Sequence, residues 1–154
     1  MSTRSLWWTI AGAWGVLLVI LGAWSSFRSP ATTREQRDLG QAKATVDQVV
    51  GRLSGNVPAD WRLFDEGYRE EPCEVSLVRD GVLATRGLAL SGPVGSESGA
   101  ISRLASTLDG ASLRPGEGSP EGFFADAGEF VAVRGSITAP GSITIQIKTG
   151  CRPR

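Results

Sequence analysis

The chain has 154 residues, with Lys+Arg and Asp+Glu balanced at 16 each and no histidine. Balanced charge sets up no field that would draw the chain to nucleic acid, so no nucleic-acid partner is expected. Lack of histidine removes the usual general base near neutral pH and the commonest metal ligand, and rules out a Ser–His–Asp arrangement.

Residues 1–5 read as a short tail. Leu6 to Phe27 then runs without one charged side chain. At about 1.5 Å rise per residue this stretch reaches roughly 33 Å, against a hydrocarbon core of about 30 Å. A transmembrane helix over 6–27 is therefore expected, with Trp7, Trp8 and Trp24 at the membrane–water interfaces. The alternative is a cleaved signal peptide and a secreted chain, with Ala23-Trp24-Ser25 as a small-x-small site. Basic residues favour a cytoplasmic domain, because Arg28, Arg34 and Arg37 outnumber Arg4 and the α-amino group. Long domains translocate largely regardless of charge, however, and an amino-terminal apolar segment is usually read as an export signal. The expectation is a single-pass protein of the cell membrane with its carboxy-terminal domain extracytoplasmic.

Residues 28–57 form a juxtamembrane segment and a first helix, which packs on the domain at 58–154. Thr32 with Glu35 and Thr33 with Gln36 read as capping boxes. Leu39, Ala42, Val46, Val49 and Leu53 then recur at helical spacing, and Gly55 and Pro58 end the run. The apolar face suits packing on the domain's own sheet, with a short self-pairing stalk as the alternative.

The stretch 59–72 is acidic and reads as a loop pinned by Trp61, Phe64 and Tyr68, with Trp61 and Leu63 able to begin a short edge strand. Val75 and Leu77 alternate after Cys73, Arg79-Asp80-Gly81 reads as a hairpin turn, and Val82 to Leu90 returns. A second helix follows, capped by Ser96 or Ser98, with Ile101, Leu104, Ala105 and Leu108 on one face and Gly110 as its stop. The segment 115–120 reads as a flexible loop. Phe130, Val131 and Val133 start a third strand, and Thr138 to Gly141 turns it into a fourth, where Ile143, Ile145 and Ile147 alternate with polar residues.

The expected fold class is thus α+β, an α-ββ-α-ββ two-layer domain with both helices on one face of a four-stranded antiparallel sheet. Cys73 and Cys151 bracket it. They read either as two unrelated thiols or as a structural disulfide, and an oxidising compartment favours the disulfide. If the first and last strands are antiparallel neighbours, the strand order is 2-1-4-3 and the bridge needs no distortion. Two cysteines without histidine make no zinc site, and there is no C-x-x-C pair.

No motif carries chemistry. Gly95-Ser96-Glu97-Ser98-Gly99 has glutamate where a nucleophile elbow needs serine. Glu70, Glu71 and Glu74 form a carboxylate cluster of the kind that usually faces water, and Asp60, Asp65 and Glu66 match no calcium-loop spacing. No residue is assigned a catalytic, cofactor-binding or metal-ligating role, no cofactor is expected, and the chain does not read as an enzyme.

Trp61, Cys73, the strand Ile143 to Ile147 and the ending Thr149-Gly150-Cys151-Arg152-Pro153 carry a resemblance. The chain resembles small, uncharacterised actinobacterial envelope proteins, anchored or secreted, with a two-cysteine α+β domain. That resemblance implies an envelope location and the fold class, and no activity. The expected function is a membrane-anchored extracytoplasmic domain that binds another envelope protein without catalysis. The alternative is a module that binds a small ligand or peptidoglycan fragment.

Overall fold

A computed structural model describes residues 14–21, 38–76, 79–116, 118 and 120–153. The chain divides into two units, Met1–Gln36 and Arg37–Arg154. In the first, the described residues form a helix, α1 (14–21), whose side chains are exposed. No helix among the described residues is long and apolar enough to cross a membrane, so the expected transmembrane helix over 6–27 is not found among them. Residues 6–13 and 22–27 of that expected span, with Trp7, Trp8 and Trp24, lie outside the described residues, as do the capping boxes at 32–36.

The second unit runs α2 (Leu39–Ser54), β1 (Arg62–Ser76), β2 (Arg79–Ser91), α3 (Glu97–Ser106), β3 (Ser112–Pro115), β4 (Pro120–Asp126), β5 (Val131–Ala139), β6 (Ser142–Thr149) and β7 (Arg152–Pro153). Asp38 caps α2, its carboxylate accepting the Gln41 N–H at 2.8 Å. Ala42, Val46, Val49, Val50 and Leu53 form the buried stripe of α2, and Gly55 ends the helix. In α3 the buried stripe is Ala100, Ile101, Leu104 and Ala105. Both stripes share one core with Leu88, Leu90, Phe123, Ala125, Val131, Val133, Ile143, Ile145 and Ile147. The helices therefore cover the same face of the sheet.

The sheet overturns the expected four strands in order 2-1-4-3. Six antiparallel strands lie in the order β1-β2-β6-β5-β4-β3, and β7 pairs separately with β2. An interior position goes to β2 rather than β1, because β2 buries Val82, Ala84, Leu88 and Leu90 while β1 carries Asp65, Glu66, Arg69, Glu70, Glu71, Pro72 and Glu74. A charged strand with an internal proline suits an edge. The stretch 62–72, expected as a loop, is most of that edge strand. A bulge between Asp65 and Gly67 lets Leu63 and Tyr68 both pack against the core despite their odd spacing.

Asp80-Gly81 is not the hairpin turn either. Asp80 pairs with Glu74, Gly81 with Cys73 and Ser76 with Arg79, so Asp80 and Gly81 lie within the ladder; residues 77–78 lie outside the described residues. At the ends of the expected loop 115–120, Pro115 pairs with Pro120, and β3 and β4 are antiparallel neighbours. By contrast, β6 keeps the expected alternation, with Ile143, Ile145 and Ile147 fully buried.

A disulfide joins Cys73 to Cys151, with 6.0 Å between their Cα atoms. The bond does not link neighbouring strands, since β2 lies between β1 and the β6–β7 line. It crosses β2 at Gly81, where a Cβ would lie 2.8 Å from Cys151 Sγ, 2.7 Å from the Arg152 carbonyl and 2.6 Å from Val75 Cγ2. Only glycine leaves room for that crossing.

Candidate functional site

The most unusual backbone lies between β4 and β5. Gly128, Glu129 and Phe130 have φ of 82°, 53° and 59°, and the last two are the positive-φ residues other than glycine among those described. A left-handed conformation costs roughly 1–2 kcal/mol for each residue that carries a Cβ. Such strain persists where surrounding contacts over-determine it.

Those contacts come from three directions. Within the turn, Ala127 N–H donates to the Val131 carbonyl (2.8 Å) and Val131 N–H to the Gly128 carbonyl (2.9 Å). Asp126 Oδ1 accepts the Gly128 N–H at 2.9 Å. From α2, the Thr45 hydroxyl donates to Glu129 Oε2 at 3.4 Å. From β7, the guanidinium of Arg152 donates to the Glu129 carbonyl and lies 5.8 Å from the centre of the Phe130 ring. Arg152 is fully buried. Burial pulls its proton affinity down, and the Glu129 carboxylate opposes that pull. Phe130 itself remains 59% exposed, so the turn spends strain on presenting an aromatic ring to solvent.

Beside the turn runs a cleft. Gln41, Ala44, Thr45, Gln48 and Arg52 follow one side of α2 and face Ala125 to Glu129. Its inner part holds about 130 Å³ and is floored by Val49, Leu108 and Ala125, all buried. An outer part of about 450 Å³ opens between Gln41, Ala44 and Glu129. The two share Thr45, Gln48 and Ala127. An apolar floor beneath a few convergent polar groups is the usual form of a binding cleft. Carboxamides and a hydroxyl donate and accept hydrogen bonds without titrating. At the inner end Arg52 pairs with Asp109 at 3.5 Å, and both side chains are exposed.

A second depression of about 390 Å³ lies over Gly87, between Glu66, Arg69 and Glu71 of β1 and Thr144, Gln146 and Lys148 of β6. None of its lining residues is buried. It lacks the apolar floor of the α2 cleft.

The residues singled out in the sequence are dispersed. Glu70 forms an ion pair with Lys43 of α2, and Glu74 pairs in the strand ladder opposite Asp80. Asp65 is bound by Arg86, whose guanidinium also meets Asp47 and stacks 4.9 Å from the Tyr68 ring. That guanidinium holds the Asp65 carboxyl below its ordinary range. This cluster ties α2 to the β1–β2 hairpin. No three potential metal ligands converge among the described residues. Glu97, the glutamate of the near-elbow, is buried, and its carboxylate accepts the N–H groups of Gly95 (2.8 Å) and Gly141 (2.5 Å). Those bonds hold its carboxyl below the usual value. Sequence reasoning missed Gln41, Thr45, Gln48, Glu129 and Arg152 as site residues and took Phe130 for the start of a strand. Nothing in the local pattern marks them, since their relation is one of long-range contact.

No family model matches the chain, and no curated protein does. The solved structure of a DUF4853 family protein from Actinomyces odontolyticus is similar at 14% sequence identity and a TM-score of 0.44, over 82% of this chain and 71% of that one.

Proposed function

We propose that the chain is a non-enzymatic interaction domain of the cell envelope, extracytoplasmic, and that it engages an envelope protein through the Gly128–Phe130 turn. The observation that carries this reading is Phe130, a large aromatic held both strained and exposed. Strained, solvent-facing residues cluster at binding sites, and aromatic anchors dominate protein interfaces. The Cys73–Cys151 bond supports an oxidising compartment. The apolar stretch at 6–27 supports export.

A photoreactive phenylalanine analogue at position 130, in intact cells, tests the interface. A discrete protein adduct is expected there, and none from the same analogue at Phe64 on the helix-free side of the sheet. An adduct at 64 alone would move the interface and end this reading. Labelling of intact cells with a membrane-impermeant maleimide tests the location. The cysteines should react only after reductant is added, and thiols reached only from the cytoplasm would reverse it.

A second reading, that the α2 cleft takes a small ligand or a peptidoglycan fragment, rests on its buried floor under Gln41, Thr45 and Gln48. Titration of such fragments, followed by shifts of the Gln41 and Gln48 side-chain amides, separates it from the first.

A further inference from the structure

The disulfide and the strained turn share one short piece of chain. Cys151 stands between Gly150, which faces the Phe130 side chain, and Arg152, which holds the Glu129 carbonyl and lies against the Phe130 ring. On its other side the same residue is bonded to Cys73 and lies over Gly81. Beyond it, β7 is two residues long, and among the described residues it pairs with β2 at Gly81 and Val82. Two backbone pairings are a weak hold on a strand, so the position of Arg152 depends on the covalent bond next to it. Both cysteines are half-buried rather than sealed.

We propose that the Cys73–Cys151 bond is a redox-released clamp that holds the Gly128–Phe130 turn in its left-handed conformation through Gly150 and Arg152. A dithiol reductant opens it. One thiolate of the reductant attacks a cystine sulfur, forming a mixed disulfide and releasing the other cysteine as a thiolate; the reductant's second thiolate then attacks the reductant's own sulfur in that bond and releases the remaining cysteine. Two electrons and two protons pass to Cys73 and Cys151, leaving two thiols and an oxidised dithiol. Freed of its tether, β7 leaves β2, Arg152 lets go of Glu129, and the turn relaxes toward conformations that residues with a Cβ prefer. Phe130 is then no longer presented. The device is independent of what binds there, so it stands or falls apart from the proposed partner.

The test is amide hydrogen exchange on the full chain in detergent micelles, oxidised and after dithiothreitol. The N–H groups of Ala127 and Val131, which close the turn, should exchange about tenfold faster or more after reduction, while those of β5 and β6 stay protected. Oxidised Arg152→Met should show the same local acceleration, and reduction should add little to it. Arg152→Lys, which keeps the charge but loses the planar group against Phe130, serves if the methionine variant does not fold. Unchanged exchange at Ala127 and Val131 on reduction overturns the proposal. So does loss of protection throughout the sheet, which would make the bond a global staple. A protected turn in both Arg152 variants overturns the route through that side chain.

Discussion

The strand β5 is entered and left by two turns that meet the same backbone demand in opposite ways. At its far end, Pro140-Gly141 puts the positive φ, 71°, on glycine, and the buried Glu97 carboxylate accepts the Gly141 N–H. At its near end the positive φ falls on Glu129 and Phe130, and a buried arginine from β7 holds them there. One turn is made by its own residue types and merely pinned. The other runs against its residue types and must be held from outside. The contrast separates a turn that shapes the sheet from one that displays a side chain.

Four substitutions probe that contrast. The largest effect is expected from Arg152→Ala, which leaves a void at a fully buried site and frees the strained turn. A loss of about 2–4 kcal/mol in chemical denaturation is expected, by analogy with large-to-small changes in cores. A loss below about 0.5 kcal/mol, within the range of ordinary surface changes, would show that the turn holds itself. Gly141→Ala comes next, because its Cβ would lie 2.7 Å from the Gly92 carbonyl at a φ of 71°. About 1–3 kcal/mol should be lost, since both strain and a clash are introduced.

Glu97→Gln should destabilise the fold in a pH-dependent way. A carboxyl whose value is lowered on folding contributes fully above its ordinary value, near 4.5, and loses that contribution as pH falls through the lowered value. The gap in melting temperature between the parent and Glu97→Gln should therefore be full at neutral pH and close on acidification. A gap that is constant down to strong acid would mean that shape, not charge, pins the Gly141 turn. The smallest effect has the opposite sign. Phe130→Gly should stabilise the chain, by about 1 kcal/mol, through relief of left-handed strain partly offset by the freer unfolded chain. It should also abolish the photoadduct's native counterpart, measured as loss of co-purification with the partner identified by crosslinking. Stability unchanged or lowered would mean that Phe130 contributes more by contact with Arg152 than it costs in strain.

The two turns also differ in how well they can be read from sequence. Thr138-Ala139-Pro140-Gly141 announces itself, because proline and glycine fix their own dihedrals. The β4–β5 turn does not, because nothing local sends a phenylalanine left-handed. The same division runs through the fold. The buried stripes of α2 and α3 and the alternation of β6 follow from spacing alone. The interior place of β2 does not, and Asp80-Gly81 misled because the strongest local turn signal lies inside a strand. There the glycine serves the disulfide that crosses it, a need set by Cys151, 70 residues away in sequence. The α2 cleft was legible only on one wall, since its helix was expected but Ala125 to Glu129 had no predicted relation to it.

Sequence by itself determined the periodic elements, the pairing partners available to the two cysteines, and the apolar character of residues 6–27. Each of these is a property of neighbours along the chain, where period and composition decide. Tertiary structure alone decided which strand of the first hairpin is interior, where the sheet bulges, and why glycine stands at 81. It also decided that Phe130 is held outward by Arg152. These depend on contacts between residues far apart in the chain, whose energies outweigh the local preferences of the residues they constrain.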